Sequence, residues 1–215
     1  DEINRAPDLL ELRGHSTLTT VGIDVTRNTV DSFVLPGEGS ITRAHWENAG
    51  ALGGDFSYHK FTLSYDLYNT IYTDAMERKT ILRWHVDSGY ITPDAPFFER
   101  FYAGGLGSIR GFQYRGISPR AGADEDAIGG NFLVTGGVEL NFPIYSDVLR
   151  GVVFVDAGTV ERNVEISTIR TSVGVGIRWT LPYIGQPLAL DFAVPVVKHD
   201  QDETQLFSFA LGLIP

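Results

Sequence analysis

The 215-residue sequence has no cysteine, which excludes a disulfide framework and any chemistry that depends on a thiol. It also lacks long hydrophobic runs, and nothing approaches the roughly 18 consecutive apolar residues of a membrane-spanning helix. A helical membrane protein is thereby excluded. A transmembrane barrel is not, because its strands turn only every second residue to lipid, and the apolar content of 43% is compatible with that pattern. Basic residues are scarce beside acidic ones, 17 Lys and Arg against 27 Asp and Glu, for a formal net charge of −10. That balance argues against a nucleic-acid partner, since phosphate recognition needs clustered Lys and Arg. The first residues, Asp1-Glu2-Ile3-Asn4-Arg5, carry neither the basic nor the apolar region of a signal peptide. The expectation is that the chain begins within a longer protein. Helices are missing as well: the one candidate, Asp8–Arg13, is too short to stand alone.

What the sequence does have is glycine, 24 residues, and aromatics at 12%, a pairing that suits strands, tight turns and interfacial aromatic girdles. The dominant pattern is alternation with period two, which sends successive side chains to opposite faces of a strand. Thr171, Val173, Val175, Ile177 and Trp179 share one face, and Ser172, Gly174, Gly176, Arg178 and Thr180 the other. The same reading applies to 15–26, 129–142 and the final run containing Phe207, Phe209, Leu211 and Leu213. Further strands are expected at about 39–48, 55–68, 78–89, 149–158 and 186–195. Turn signals separate them: Pro36-Gly37-Glu38-Gly39, Gly50 with Gly53-Gly54, Pro143 with Ser146-Asp147, and Pro182 with Gly185. The fold class read here is all-β, an antiparallel transmembrane β-barrel. About nine strands is an odd count, whereas bacterial single-chain barrels have even ones, which again points to part of a larger barrel. One connection, about 91–128, is long, Gly-rich and charged, as functional loops are.

Within that loop lie Phe101-Tyr102-Ala103-Gly104-Gly105 and then Ser108-Ile109-Arg110-Gly111-Phe112. Gly129-Gly130-Asn131, Val138-Glu139-Leu140 and Phe154-Val155-Asp156-Ala157-Gly158-Thr159-Val160 follow in order. Ser172–Trp179 with Pro182 and Gly185 comes next, and Asp24-Val25-Thr26-Arg27-Asn28 with Pro36 and Gly39 stands upstream. This succession resembles the BamA-like superfamily of outer-membrane β-barrel assembly factors (the bacterial surface antigen family), in which Val/Ile-Arg-Gly-Phe/Tyr marks the sixth loop. The similarity covers nearly the whole chain, and its motifs occur in the family's order.

The resemblance implies that residues 1–215 are the C-terminal portion of a barrel of about sixteen strands. The N-terminal strands and the periplasmic POTRA modules would lie outside this chain. It implies a loop folded into the lumen, with Ile109, Arg110, Gly111 and Phe112 as its motif and Glu139 and Asp156 as the carboxylates that receive Arg110. Alternation independently puts Glu139 on the polar face of its strand, and a guanidinium fork can bridge two carboxylates. A lumenal arginine that the family often carries near 80–89 has no clear counterpart; Arg83 and His85 are the possible additional lumen partners. Phe207, Phe209 and Leu211 belong to the closing strand, about Thr204–Ile214, one side of a seam that opens sideways in the family. Edge strands template new pairing, and backbone in lipid must stay paired, so such a seam can receive a nascent strand.

The expected function is therefore non-enzymatic: folding and inserting β-barrel proteins in the bacterial outer membrane. The partners would be lipid, unfolded outer-membrane clients and possible accessory lipoproteins and periplasmic chaperones. The alternatives are a two-partner secretion translocator, the barrel platform of a patatin-like fusion, a diffusion porin and a soluble β-sandwich. No cofactor or metal is expected. Gly104–Gly111 lacks the Lys-Ser/Thr end of a phosphate loop, Ser108 is not in a Gly-x-Ser-x-Gly elbow, and the five histidines show no metal-ligand spacing. The acidic run Asp124-Glu125-Asp126 reads as a solvated loop tip rather than a Ca²⁺ site.

Overall fold

The computed structural model describes residues 15–181 and 187–212. The short segment Asp8–Arg13, the Pro182–Gly185 turn and the residues Leu213–Pro215 lie outside the described residues. The strands are β1 (Thr20–Asn28), β2 (Gly39–Ala49), β3 (Tyr58–Thr73), β4 (Lys79–Ile91), β5 (Gly111–Phe112), β6 (Arg120–Ala121), β7 (Asp126–Ala127), β8 (Phe132–Tyr145), β9 (Leu149–Glu161), β10 (Arg170–Thr180), β11 (Pro187–Val197), β12 (Thr204–Gln205) and β13 (Phe207–Leu211).

Nine of them form one open antiparallel sheet in the order β1-β2-β3-β4-β8-β9-β10-β11-β13. The principal strands are long, up to 16 residues in β3. Burial alternates along β10 and β11, whose two faces meet different surroundings, whereas β1 is exposed throughout. One face carries Ile23, Val25, Trp84, Val86, Val155, Val175, Ile177 and Phe209, all exposed, a continuous apolar surface far beyond isolated exposed residues. The other face carries small and charged residues and is covered by the chain between β4 and β8. This connection is ordered by a 3-10 turn at Phe97–Glu99, the β6–β7 pair and two isolated bridges, Phe101↔Gly130 and Ala103↔Ile117.

Several boundaries depart from the sequence reading. β3 runs to Thr73, five residues beyond the expected end, and pairs with β4 through an irregularity after Thr70. Pro143 is not in a turn but inside β8, at a register shift against β9 between Pro143 and Tyr145; a bulge tolerates the missing N–H. The closing run is not one strand. β13 pairs with β11 from Phe207 to Leu211, whereas Thr204 and Gln205 leave the sheet and pair with Phe112 and Gly111 of the long connection.

Room for the connection comes from small residues on the covered face. A Cβ on Gly89 would fall within 2.6 Å of the Phe101 ring, so the absence of a side chain there is what admits that aromatic. At the far end of the sheet, Asp31 ties the β1–β2 loop down. It accepts hydrogen bonds from the backbone N–H groups of Gly37 (2.7 Å) and Glu38 (3.0 Å) and from Lys79 Nζ (2.9 Å).

Candidate functional site: an arginine held in a carboxylate cluster

The four residues Ile109–Phe112 divide between two environments. Ile109 and Phe112 are buried with Ala103, Ile117 and Val160, and Phe101 and Leu133 pack on this cluster. Arg110 points instead to the sheet. Gly111 between them has φ +92°, a left-handed conformation that costs a residue with a Cβ, and it sits against Ala193 of β11. The glycine thus lets Arg110 and Phe112 face different surroundings within one turn.

The structure brings Arg110, Glu139 and Asp156 together. Asp156, fully buried on β9, accepts from Arg110 Nε (2.7 Å), Nη2 (2.9 Å) and the backbone N–H (3.1 Å). Glu139 on β8 accepts from Arg110 Nη1 at 2.6 Å. The guanidinium also lies over the Phe154 ring, with Cζ 3.3 Å from the centroid. All three guanidinium nitrogens thus donate to carboxylates and one ring face is stacked, and such pairing offsets the desolvation cost of a buried charge.

Two residues that sequence reasoning did not single out complete the cluster. Arg178 of β10 donates to Asp191 Oδ1 (2.6 Å) and to Glu139 Oε2 (3.3 Å). Asp191 is 1% exposed, and its Oδ2 lies 3.9 Å from Arg110 Nη1. Alternation had placed Arg178 on the polar face, but only the register, with Gly176 opposite Asp191, reveals its partner. Arg83 stands opposite Glu139 in the β4–β8 ladder and bonds Asp66 at 2.6 Å and 3.0 Å, with Arg43 on the other Asp66 oxygen at 3.2 Å. These contacts engage Arg43, Arg83, Arg110 and Arg178 with Asp66, Glu139, Asp156 and Asp191 on this face. His85 is opposite Gly137, and its Nδ1 is buried without a hydrogen-bond partner. Phe207, Phe209 and Leu211 lie apart from the cluster, exposed on the apolar face of β13.

Among the described residues there is no group of His, Asp and Glu arranged to hold a metal ion. The arrangement can anchor a loop.

Comparison with known proteins agrees with this architecture. The family model described as the Omp85 superfamily domain matches residues 3–214. The outer membrane protein assembly factor BamA of Nitratidesulfovibrio vulgaris is 28% identical over 212 residues, covering 94% of this chain and 26% of that protein. BamA of Neisseria meningitidis is 27% identical over 225 residues, covering 86% of this chain and 27% of its own. The sorting and assembly machinery component 50 homolog of Bos taurus is 27% identical over 206 residues, covering 85% and 42%. In structure, BamA from Haemophilus ducreyi lacking POTRA domains 1–3 superposes with a TM-score of 0.78 at 25% identity, over 88% of this chain and 41% of that one. The chain thus spans about a quarter of the length of the bacterial relatives it matches. By its sequence, along nearly all its length, the chain belongs to the Omp85 superfamily.

Proposed function

We propose that this chain supplies the C-terminal strands of a transmembrane barrel in the bacterial outer membrane, and that the complete protein assists the folding and insertion of other β-barrel proteins. The observation that carries the reading is the buried Arg110 bridging Glu139 and Asp156, which fixes a long loop against one face of a sheet whose opposite face is apolar. That combination suits a wall with lipid on one side and a loop-filled lumen on the other. The relatives named as assembly factors give the barrel its task. In this reading β1 joins upstream strands, giving about sixteen in all, POTRA modules precede them, and β13 meets the first strand at a separable seam. Residues 92–131 form the lumenal loop, and Arg110, Glu139 and Asp156 are its lock. Lipid and unfolded barrel proteins are the partners, with accessory lipoproteins and periplasmic chaperones delivering clients.

The test is reconstitution of the full-length protein into lipid vesicles with an unfolded barrel client. The reading predicts faster acquisition of the client's folded, heat-modifiable form than in protein-free vesicles. Equal rates would overturn it.

A further inference from the structure

The last strand is held by two different partners, and the division between them is written into β11. Ala193 donates its N–H to the Leu206 carbonyl, and Gly212 donates to the Pro187 carbonyl. Residues 187 and 193 therefore both turn their hydrogen-bonding groups toward the last strand. In an antiparallel ladder that role falls on every second residue, so the next to pair with the last strand is Pro195. Proline has no N–H to donate. The ladder stops there, and β13 keeps pairing with β11 only from Phe192 downward.

Above that point the chain turns to the loop. Thr204 pairs with Phe112 and Gln205 with Gly111. Gln113 N–H donates to the Glu203 carbonyl at 2.9 Å, and Glu203 N–H donates to the Gly116 carbonyl at 3.1 Å. Gly116 cannot carry a side chain, because a Cβ would lie 2.6 Å from the Glu203 carbonyl oxygen. Side chains close the contact: Arg120 Nη2 to Glu203 Oε1 at 2.9 Å, and Gln201 Nε2 to Glu125 Oε1 at 2.7 Å. The residues joining loop to strand thus continue directly from Arg110, which is anchored to β8 and β9.

We infer that residues 111–116 of the loop are a releasable β-latch on residues 203–205, imposed by Pro195, and that the last strand is freed for client insertion only when this latch opens. This inference rests on the insertase reading above. With the latch closed, the last strand is held by the loop and by five residues of pairing with β11. With it open, the pairing with β11 and the Arg170–Asp202 ion pair remain among the described residues.

The experiment uses the full-length protein in vesicles with the substitutions Gln113→Cys and Glu203→Cys. Both positions are exposed and lie side by side across the latch, and this chain has no cysteine of its own. The latch predicts a disulfide on mild oxidation, client folding reduced to the level of protein-free vesicles, and recovery on adding a reductant. A second variant, Pro195→Val, restores the missing ladder N–H and is expected to lower disulfide yield about fivefold, the worth of one net hydrogen bond. A disulfide that does not form, or an oxidised protein as active as the reduced one, overturns the latch. If the protein without these substitutions also fails to fold client, the insertase reading falls; the disulfide yield and its dependence on Pro195 still decide whether the latch exists.

Discussion

Phe154 lies beneath the guanidinium of Arg110, with Cζ 3.3 Å from the ring centroid, while Asp156, two residues along the same strand, takes three hydrogen bonds from the same residue. One strand therefore supplies both the charge and the π-face that hold the loop. A cation stacked in a desolvated setting gains about 2 kcal/mol, so Phe154→Leu is expected to loosen the loop without removing any ion pair. Limited proteolysis of the loop in the folded barrel checks this: cleavage should become faster in Phe154→Leu, with the sheet unchanged by circular dichroism.

Asp191 and Arg178 offer a test of how the rest of the cluster is balanced. Removing Arg178 alone leaves Asp191 buried with neither oxygen hydrogen-bonded, since its Oδ2 already has no such partner. Losing one member of a buried pair costs about 3–5 kcal/mol, whereas replacing both by apolar residues is close to neutral. Arg178→Met should therefore lower the urea midpoint of the refolded protein markedly, and Arg178→Met combined with Asp191→Leu should recover most of the loss.

A third expectation concerns Gly137. A Cβ there would lie 2.6 Å from Asp156 Oδ1 and 2.7 Å from His85 Cε1. Gly137→Ala must displace the carboxylate that receives Arg110, and overpacking of this kind costs about 1–3 kcal/mol. The expected result is a drop in unfolding midpoint together with faster loop proteolysis.

The β1–β2 loop predicts a pH dependence. The Asp31 carboxyl is held well below the usual carboxylate range by the Glu38 N–H, the Lys79 ammonium and the Gly37 N–H, in that order. A depressed carboxylate contributes stability that is present above its ordinary value of about 4 and is lost as pH falls toward the depressed one. The Gly37 amide resonance should therefore stay constant down to about pH 4 and move only below it. Asp31→Asn should abolish that titration.

Much of this was legible from residue order alone, for a physical reason. A strand between an apolar and a crowded polar surrounding must alternate, so the run Thr171–Thr180 reads nearly as β10, Arg170–Thr180, is built. The same parity assigns Glu139 and Asp156 to the loop-covered face. Register is another matter. That Arg178 reaches Asp191 follows from which residues stand opposite across β10 and β11, and no local pattern encodes it. Nor did alternation reveal the break at Leu206, because the run from Thr204 to Leu211 keeps a strand-like composition on both sides of it. The cause lies in a different strand, at Pro195. Pro143 misled in the opposite direction: the residue that usually ends a strand is accommodated here at a bulge.

The most direct test of the central claim, that an arginine-anchored loop is required for client assembly, replaces Arg110 in the full-length protein by Ala and by Lys. A lysine keeps the charge but cannot span Glu139 and Asp156 with a planar fork. Steady-state levels of outer-membrane barrel proteins would be measured in cells relying on each variant, alongside proteolysis of the loop. The account predicts a loosened loop and reduced barrel levels in both, with Lys only partly better than Ala. Unchanged barrel levels and an unchanged loop in Arg110→Ala would contradict it.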